Sequence, residues 1–235
     1  MKKFLLKILF KRSSMTKKTE PIVMLTHNDI TVKNALDLFS ELYTCPVSYW
    51  GIKEKGLCEA DMIKLCNGIS AKGKKAVLEA VTYTEEESMT TAYTAVKCGC
   101  DILMGTLYSQ KVHKILKENN IKYMPFVGRV YGRPSVLEGS LEEIISEVRD
   151  LKEKGVFGID LLGYRYNGDA EALISDTAKT AELPVCVAGS IDSYEKLDVI
   201  KEISPAFFTV GSALFEHRFG STIKEQIEKI KARVI

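Results

Sequence analysis

The stretch PVCVAGSIDSYEKLDVIKEISPAFFTVGSALFE, residues 184–216, contains two short apolar runs that both end in Gly-Ser. The first run, VCVAGS, ends at residues 189–190, and the second, FFTVGS, ends at residues 211–212. The two endings lie about one strand-and-helix unit apart along the chain. Such an ending is either turn chemistry or part of a binding site, and the organisation of the rest of the chain bears on that choice.

From residue 20 onward, short apolar runs alternate with longer amphipathic stretches. The runs are continuously apolar rather than strictly alternating, which is typical of parallel strands covered on both faces. We number them as predicted strands 1 to 8: IVMLTH (22–27), CPVSYW (45–50), AVLEAVTY (76–83), DILMGT (101–106), YMPFVGR (123–129), GVFGIDLL (155–162), PVCVAGS (184–190) and AFFTVGS (206–212).

Several of the intervening stretches carry helix signals. We predict helices in TVKNALDLFSEL (31–42), TEEESMTTAYTAVKCG (84–99), SLEEIISEVRDLKEKG (140–155) and STIKEQIEKIKARV (221–234). The first is expected to begin with Thr31 as its N-cap. The second has acids in its first turn and ends in Gly99, and the third has the capping-box spacing of Ser140 and Glu143.

Eight strand–helix units within residues 21–235, with no Pro- or Gly-rich linker, predict one α/β domain, a single (β/α)8 TIM barrel. The competing architecture is an open doubly wound sheet, which usually has fewer units and a glycine-rich first turn. The turn after predicted strand 1 reads THNDIT and contains no GxGxxG. We therefore expect a closed barrel.

Residues 1–20, MKKFLLKILFKRSSMTKKTE, form a basic leader before the predicted barrel. Its apolar part, residues 4–10, is interrupted by Lys7 and is far shorter than the roughly 20 residues of a spanning helix. It also lacks the uninterrupted apolar core and small-residue cleavage site of a signal peptide. We expect a disordered extension, or a native start at Met15. The alternative is a basic amphipathic segment, residues 1–14, that rests on a membrane surface.

The composition is that of an ordinary globular domain, with 46% hydrophobic and 27% charged residues among 235. The net charge of +2 gives no general case for nucleic-acid binding. Six cysteines form no CxxC pair and no zinc-type cluster: Cys45, Cys58, Cys66, Cys98, Cys100 and Cys186. With no export signal, we expect reduced cysteines and a cytoplasmic protein.

The Gly-Ser endings lie where barrels often hold a phosphate, at the loops after strands 7 and 8. Gly189 and Gly211 would let the backbone approach an anion, and Ser190 and Ser212 would donate hydroxyl hydrogen bonds. The segment SALFE after the second ending could form a short helix whose amides meet the anion. Gly and Ser are also ordinary turn residues. Two copies at the two expected strand ends favour a phosphate site.

The segments VCVAGSIDSYEKLDVIKE and FFTVGSALFE resemble the paired phosphate-binding segments of the ribulose-phosphate-binding barrel superfamily. That group includes phosphosugar epimerases, the histidine- and tryptophan-pathway isomerases, and the orotidine and keto-gulonate phosphate decarboxylases. The specific match covers about the last quarter of the chain, and the first five predicted strands match the signature of no single branch. The resemblance implies a (β/α)8 fold and a phosphorylated ligand more strongly than it implies a reaction.

Other polar residues follow or interrupt the predicted strands and should face the same mouth. His27 ends strand 1, and histidine titrates near neutral pH, which suits proton transfer; a packed or capping histidine is the alternative. Asp29 would cap the following helix. Lys53 after strand 2 would balance a carboxylate or phosphate, or remain a solvated loop lysine. Glu79 interrupts an apolar strand, so it should either face the polar mouth or pair with a cation.

The stretches after strands 5 and 6 add further charges. Arg129 and Arg133 lie in a long loop and would clamp a second anionic group. Surface solvation is the alternative, and it is the stronger one for Arg133. Asp160 interrupts strand 6 as Glu79 interrupts strand 3, and Arg165 follows it.

The sequence also bears on cofactors, and we expect the protein to use no cofactor. The alternative is a divalent ion held by Glu79, Asp160 and His27, although no metal-ligand spacing in the sequence supports it.

Together, the residues predict an enzyme that acts on a small phosphorylated sugar or sugar-acid metabolite by proton abstraction beside a carbonyl, as an isomerase, epimerase or carbon–carbon lyase. Glu79 or Asp160 would be the base and His27 the acid. Three cations would stabilise the developing negative charge: Lys53, Arg129 and Arg165. The alternative is a non-catalytic phosphometabolite-binding protein on a degenerate barrel. Homo-oligomer formation is left open.

Overall fold

The computed structural model describes residues 19–235, so the predictions about the leader lie outside the described residues, apart from its last two positions. Eight parallel strands form the central sheet: β1 (Glu20–Met24), β2 (Tyr49–Lys53), β3 (Lys75–Thr82), β4 (Ile102–Thr106), β5 (Lys122–Met124), β6 (Ile159–Leu161), β7 (Val185–Val187) and β8 (Phe207–Val210). Each predicted strand therefore contains or overlaps one strand of the sheet.

The sheet curls into a near-closed barrel. Its strand order is β6-β7-β8-β1-β2-β3-β4-β5, with every neighbouring pair parallel. The two outer strands meet through a parallel bridge between Phe126 and Asp160, where the Asp160 amide donates to the Pro125 carbonyl at 2.9 Å. The barrel prediction is confirmed.

Helices alternate with the strands: α1 (Ala35–Leu42), α2 (Glu59–Ala71), α3 (Glu85–Cys98), α4 (Gln110–Glu118), α5 (Leu141–Glu153), α6 (Ala170–Thr180), α7 (Tyr194–Ile203), α8 (Ser212–Phe215) and α9 (Ile223–Val234). A 3-10 turn covers Gly163–Arg165. The capping box of Ser140 and Glu143 is present, and α3 ends at Gly99 in the left-handed conformation. Within residues 19–235, no helix is long and apolar enough to cross a membrane.

The first helix begins later than the sequence predicted. Its N-cap is Asn34 rather than Thr31. Thr31 instead pairs with Thr26 in a short antiparallel hairpin, formed by Thr26–His27 and Ile30–Thr31. Its hydroxyl exchanges two hydrogen bonds with the Lys53 backbone, at 2.8 and 2.9 Å, and so cannot cap a helix. We call this segment the Asp29 hairpin, because Asn28 and Asp29 form its turn with φ of 51° and 60°.

The long loop after β5 is a second hairpin, of Arg129–Tyr131 and Val136–Glu138, which precedes α5. The side chains inside the barrel form an apolar cluster that fills much of its interior: Ile22, Met24, Val77, Ile102, Met104, Met124, Cys186 and Phe207. A larger core packs the outer face of the sheet against the helices. All six cysteines lie in the described part of the chain and are free.

Candidate functional site

A cavity of about 590 Å³ opens at the C-terminal end of the barrel strands, a size typical of small-molecule sites. Seven of the residues predicted for the site line it: Lys53, Glu79, Arg165, Gly189, Ser190, Gly211 and Ser212. These seven predicted residues therefore share one cavity, and the other three lie outside its lining.

Lys53 and Glu79 form an ion pair at the cavity. They are directly opposite each other at neighbouring positions of β2 and β3. The Lys53 Nζ lies 3.1 Å from the Glu79 Oε1, and both side chains are more than nine-tenths buried. Sequence reasoning expected Glu79 either to face the polar mouth or to pair with a cation. Glu79 does both, because it lines the cavity and the register of the sheet places Lys53 opposite it.

Asp29 completes the ion-pair network. Its Oδ1 lies 3.1 Å from the Lys53 Nζ and 3.4 Å from the Arg165 Nη2, so one carboxylate oxygen joins two cations. Burial raises the pKa of Asp29, but the charges of Lys53 and Arg165 outweigh it and hold that pKa below its usual value. Asp29 is therefore a carboxylate that links the hairpin to the cavity, rather than a helix cap.

The same network keeps Lys53 protonated. Burial alone lowers the pKa of a lysine, but the adjacent carboxylates of Glu79 and Asp29 raise the pKa of Lys53 above its usual value. The ammonium has three N–H donors, and the two ion pairs use two of them. One donor is left for an oxygen atom of a ligand.

Asp160 lies inside the barrel and is fully buried. Neither carboxyl oxygen has a hydrogen-bond partner among residues 19–235. Burial raises the pKa of Asp160 well above its usual value, and the nearby charge of Glu79 raises it further. Burial and the charge of Glu79 therefore favour the protonated form of Asp160, but this residue is absent from the cavity lining.

The two Gly-Ser endings form one part of the cavity wall. Gly189 and Ser190 both have positive φ, 86° and 53°, which turns the chain sharply after β7. Gly211 precedes α8, and the Ser212 hydroxyl accepts a hydrogen bond of 3.0 Å from the Asn28 amide. A Cβ on Gly211 would lie 2.8 Å from the Thr26 hydroxyl, so this close approach requires glycine.

Arg165 lies against the first of these endings. A Cβ on Gly189 would lie 2.9 Å from the Arg165 Cγ, so the stem of the arginine packs directly over the glycine. Its guanidinium reaches Asp29 across the cavity. The wall at β7 and β8 therefore combines two tight backbone turns with one guanidinium.

His27 and Arg129 differ from expectation. The His27 ring stacks on Phe215 with centroids 5.7 Å apart and does not line the cavity. Arg129 is mostly exposed and pairs with Glu143 at 3.6 Å. Arg133 lines the cavity instead, although solvation was expected more strongly for it than for Arg129. Arg129 begins the first strand of this second hairpin, whereas Arg133 lies in the turn between its two strands, and that turn reaches the end of β3.

The set proposed for a divalent ion is not assembled. Among residues 19–235, no group of three or more His, Cys, Asp or Glu side chains is placed to hold a metal ion. His27 packs on Phe215, while Glu79 pairs with Lys53.

No protein-family model matches the chain, and no curated protein matches it either. Solved structures do. A tryptophan synthase chain from M. tuberculosis has a TM-score of 0.66 at 14% identity, with 93% of each chain covered. Thiamine phosphate pyrophosphorylase from Pyrococcus furiosus has a TM-score of 0.64 at 12% identity, covering 93% of this chain and 96% of that one.

Orotidine 5′-phosphate decarboxylase from Lactobacillus acidophilus has a TM-score of 0.61 at 13% identity, covering 92% of this chain and 98% of that one. The resemblance stated from the Gly-Ser segments named orotidine phosphate decarboxylases, and it is confirmed at the level of the fold. At these identities, the similarity shows that this chain has the (β/α)8 fold of these enzymes.

Proposed function

We propose that the protein is an enzyme that binds a small phosphorylated sugar or sugar acid and moves a proton beside its carbonyl group. The observation that carries this proposal is the Lys53–Glu79 ion pair, which lines the cavity. A carboxylate base and a fixed cation are groups that enolisation uses.

The phosphate would bind at the wall formed by the two Gly-Ser endings. The amides of Ser190 and Ser212 are not taken by another group among residues 19–235, and Arg165 lies beside them. Two of the similar structures carry a phosphorylated compound in their names, thiamine phosphate and orotidine 5′-phosphate. Binding of this non-reacting group would hold the ligand's carbon chain over Lys53 and Glu79.

Glu79 would act as the base. Of the two carboxylates considered for this role, Glu79 and Asp160, only Glu79 lines the cavity. The third N–H of Lys53 would stabilise the negative oxygen that develops on the carbonyl. Asp160, buried inside the barrel, would remain protonated and so would add no unpaired negative charge next to Glu79. Return of the proton to the neighbouring carbon gives isomerisation, and its return to the other face of the same carbon gives epimerisation. For a lyase, Glu79 would instead take the proton of the hydroxyl group on the carbon β to the carbonyl. The carbon–carbon bond would then break to leave an aldehyde or ketone and an enolate, whose negative oxygen Lys53 would stabilise.

Covalent catalysis by Lys53 is not part of this mechanism. A Schiff base forms from a neutral amine, and the two carboxylates beside Lys53 stabilise its charged form. The lysine therefore serves as a fixed positive charge.

Turnover of a panel of sugar and sugar-acid phosphates tests the proposal. We expect wild-type protein to convert at least one of them, and Glu79→Gln to lower kcat by about 100-fold or more while binding is retained. Glu142→Gln, an exposed change on α5, is the matched control and should leave kcat unchanged. Binding without turnover, equal in wild type and Glu79→Gln, would instead identify a non-catalytic binding protein.

A further inference from the structure

The cavity has a second cationic side, away from the Gly-Ser endings. Four cations line the cavity as a whole: Lys53, Lys55, Arg133 and Arg165. Lys53 and Arg165 are joined by Asp29, and Lys53 also pairs with Glu79. These pairs leave Lys55 and Arg133 to be accounted for.

The remaining carboxylates of the lining are committed elsewhere. Asp192 pairs with Lys196 at 2.8 Å, and Glu216 pairs with Arg218 at 3.0 Å. Neither therefore neutralises the second cationic side.

Lys55 is exposed at the cavity and has no ion pair among residues 19–235. The nearest carboxylate of Arg133 is Glu54, at 4.0 Å, the outer limit of an ion pair. This side of the cavity therefore offers two cations whose charges are weakly balanced or unbalanced.

Arg133 is held in place rather than free in solvent. Its Nη2 donates to the Val81 carbonyl at the end of β3, at 2.8 Å. Tyr83 stabilises the turn that contains Arg133. Its hydroxyl donates a hydrogen bond to the Gly132 carbonyl at 2.8 Å and shares another with the hydroxyl of the buried Ser135 at 2.8 Å. A guanidinium with a fixed stem can receive an anion at its remaining N–H groups with little loss of side-chain freedom.

Arg133 lies across the barrel from the Gly-Ser endings. Arg133 is bound to the end of β3, and the Gly-Ser endings follow β7 and β8. In the strand order, β3 is three positions from β8 and four from β7, which is the far side of an eight-stranded ring. The Lys53–Glu79 pair belongs to β2 and β3 and lies in the same cavity.

We infer that the ligand carries a second anionic group, a carboxylate or a second phosphate, which binds to Arg133, across the barrel from the first phosphate, and to Lys55 of the same cavity lining. This inference rests on the proposed function and narrows its substrate class from any sugar phosphate to one that is anionic at both ends. A sugar phosphate with no second anionic group would leave Arg133 and Lys55 without an anionic partner on the ligand.

Matched ligand pairs isolate this second group. The pairs are glycerol 3-phosphate with 3-phosphoglycerate, erythritol 4-phosphate with 4-phosphoerythronate, and sorbitol 6-phosphate with 6-phosphogluconate. Sorbitol 1,6-bisphosphate supplies the second-phosphate arm. Calorimetric titration should show that one acid or the bisphosphate binds at least about 10-fold more tightly than its monophosphate polyol.

Variants test whether Arg133 and Lys55 cause the tighter binding of the acid or bisphosphate, which we call the affinity advantage. Arg133→Gln should abolish it, Lys55→Gln should reduce it, and Arg133→Lys should keep part of it. Arg129→Gln, on the same hairpin but outside the cavity, is the matched control and should retain it fully. The inference is overturned if no pair shows an advantage, or if the advantage survives Arg133→Gln in a protein with unchanged thermal stability.

The same titrations separate the two proposals. Ser190→Asp places a carboxylate at the first phosphate site and should weaken every polyol phosphate. If it does so while acids show no advantage, the proposed function stands and the second anion site is refuted. If polyol phosphates bind wild type and Ser190→Asp equally, the first phosphate site is refuted. If none of the probes binds, both are refuted.

Discussion

Replacing Asp160 by asparagine tests the claim that this acid is neutral in the folded protein. The substitution keeps the shape of the side chain and removes its ability to ionise. In the folded wild type, burial and the charge of Glu79 raise the pKa of Asp160, whereas in the unfolded chain an aspartate ionises near pH 4. Folding therefore requires a proton that the unfolded chain releases.

The sign and size of the effect follow from proton linkage. A raised folded-state pKa means that the stabilising contribution of protonated Asp160 is complete below about pH 4 and is lost as the pH rises through the folded-state value. Within that window, each pH unit costs the wild type about 1.4 kcal/mol relative to Asp160→Asn. Between pH 4.5 and 6.5, the free energy of unfolding of Asp160→Asn should therefore rise relative to that of the wild type, by up to about 1.4 kcal/mol per pH unit.

Urea denaturation of both proteins at pH 4.5, 5.5 and 6.5 measures this gain. The side-chain amide introduced by the substitution adds its own desolvation cost, but that cost does not depend on pH and cancels from the slope. Asp150→Asn, an exposed change on α5, should show no such slope. A stability difference between wild type and Asp160→Asn that is constant across the three pH values would refute a buried neutral acid.

Two further predictions concern stability. Lys53→Met should destabilise the fold by about 3 kcal/mol, because it leaves the buried Glu79 carboxylate without its cation. The double variant Lys53→Met/Glu79→Leu should recover part of this loss in urea denaturation, and no recovery would mean that the pair is not coupled. Ser140→Ala removes the capping box of α5 and should lower the free energy of unfolding by about 1 kcal/mol. The control Ser146→Ala, an exposed change on the same helix, should change it by no more than about 0.5 kcal/mol. Equal losses in the two variants would exclude a capping effect.

The fold was predictable because its signals are local. Continuous apolar runs report strands that are covered on both faces, and the Ser140–Glu143 and Gly99 signals report the ends of helices. The Thr31 prediction failed because a tertiary contact, the exchange of hydrogen bonds with the Lys53 backbone, overrode a local capping preference.

The site was predictable only in part. Strand ends meet at one face of a barrel, so Lys53, Glu79 and the Gly-Ser endings could be brought together from sequence. The ion pairs of Asp29 were missed because Lys53 and Arg165 are distant along the chain, and because the sequence predicted a helix where the short hairpin after β1 forms. Arg133 was ranked below Arg129 because the sequence does not reveal that the turn of this hairpin reaches the end of β3 and the cavity.

The central claim, a phosphate held by the Gly-Ser endings, is tested most directly by calorimetric titration of glycerol 3-phosphate into wild type, Ser190→Asp and Ser204→Asp. Ser190 and Ser204 are both exposed and share a φ of 53°, a conformation that Asp tolerates. Ser204 ends α7 and does not line the cavity. We predict saturable binding to wild type and Ser204→Asp, and at least about 10-fold weaker binding to Ser190→Asp. Equal binding to all three proteins would contradict the account.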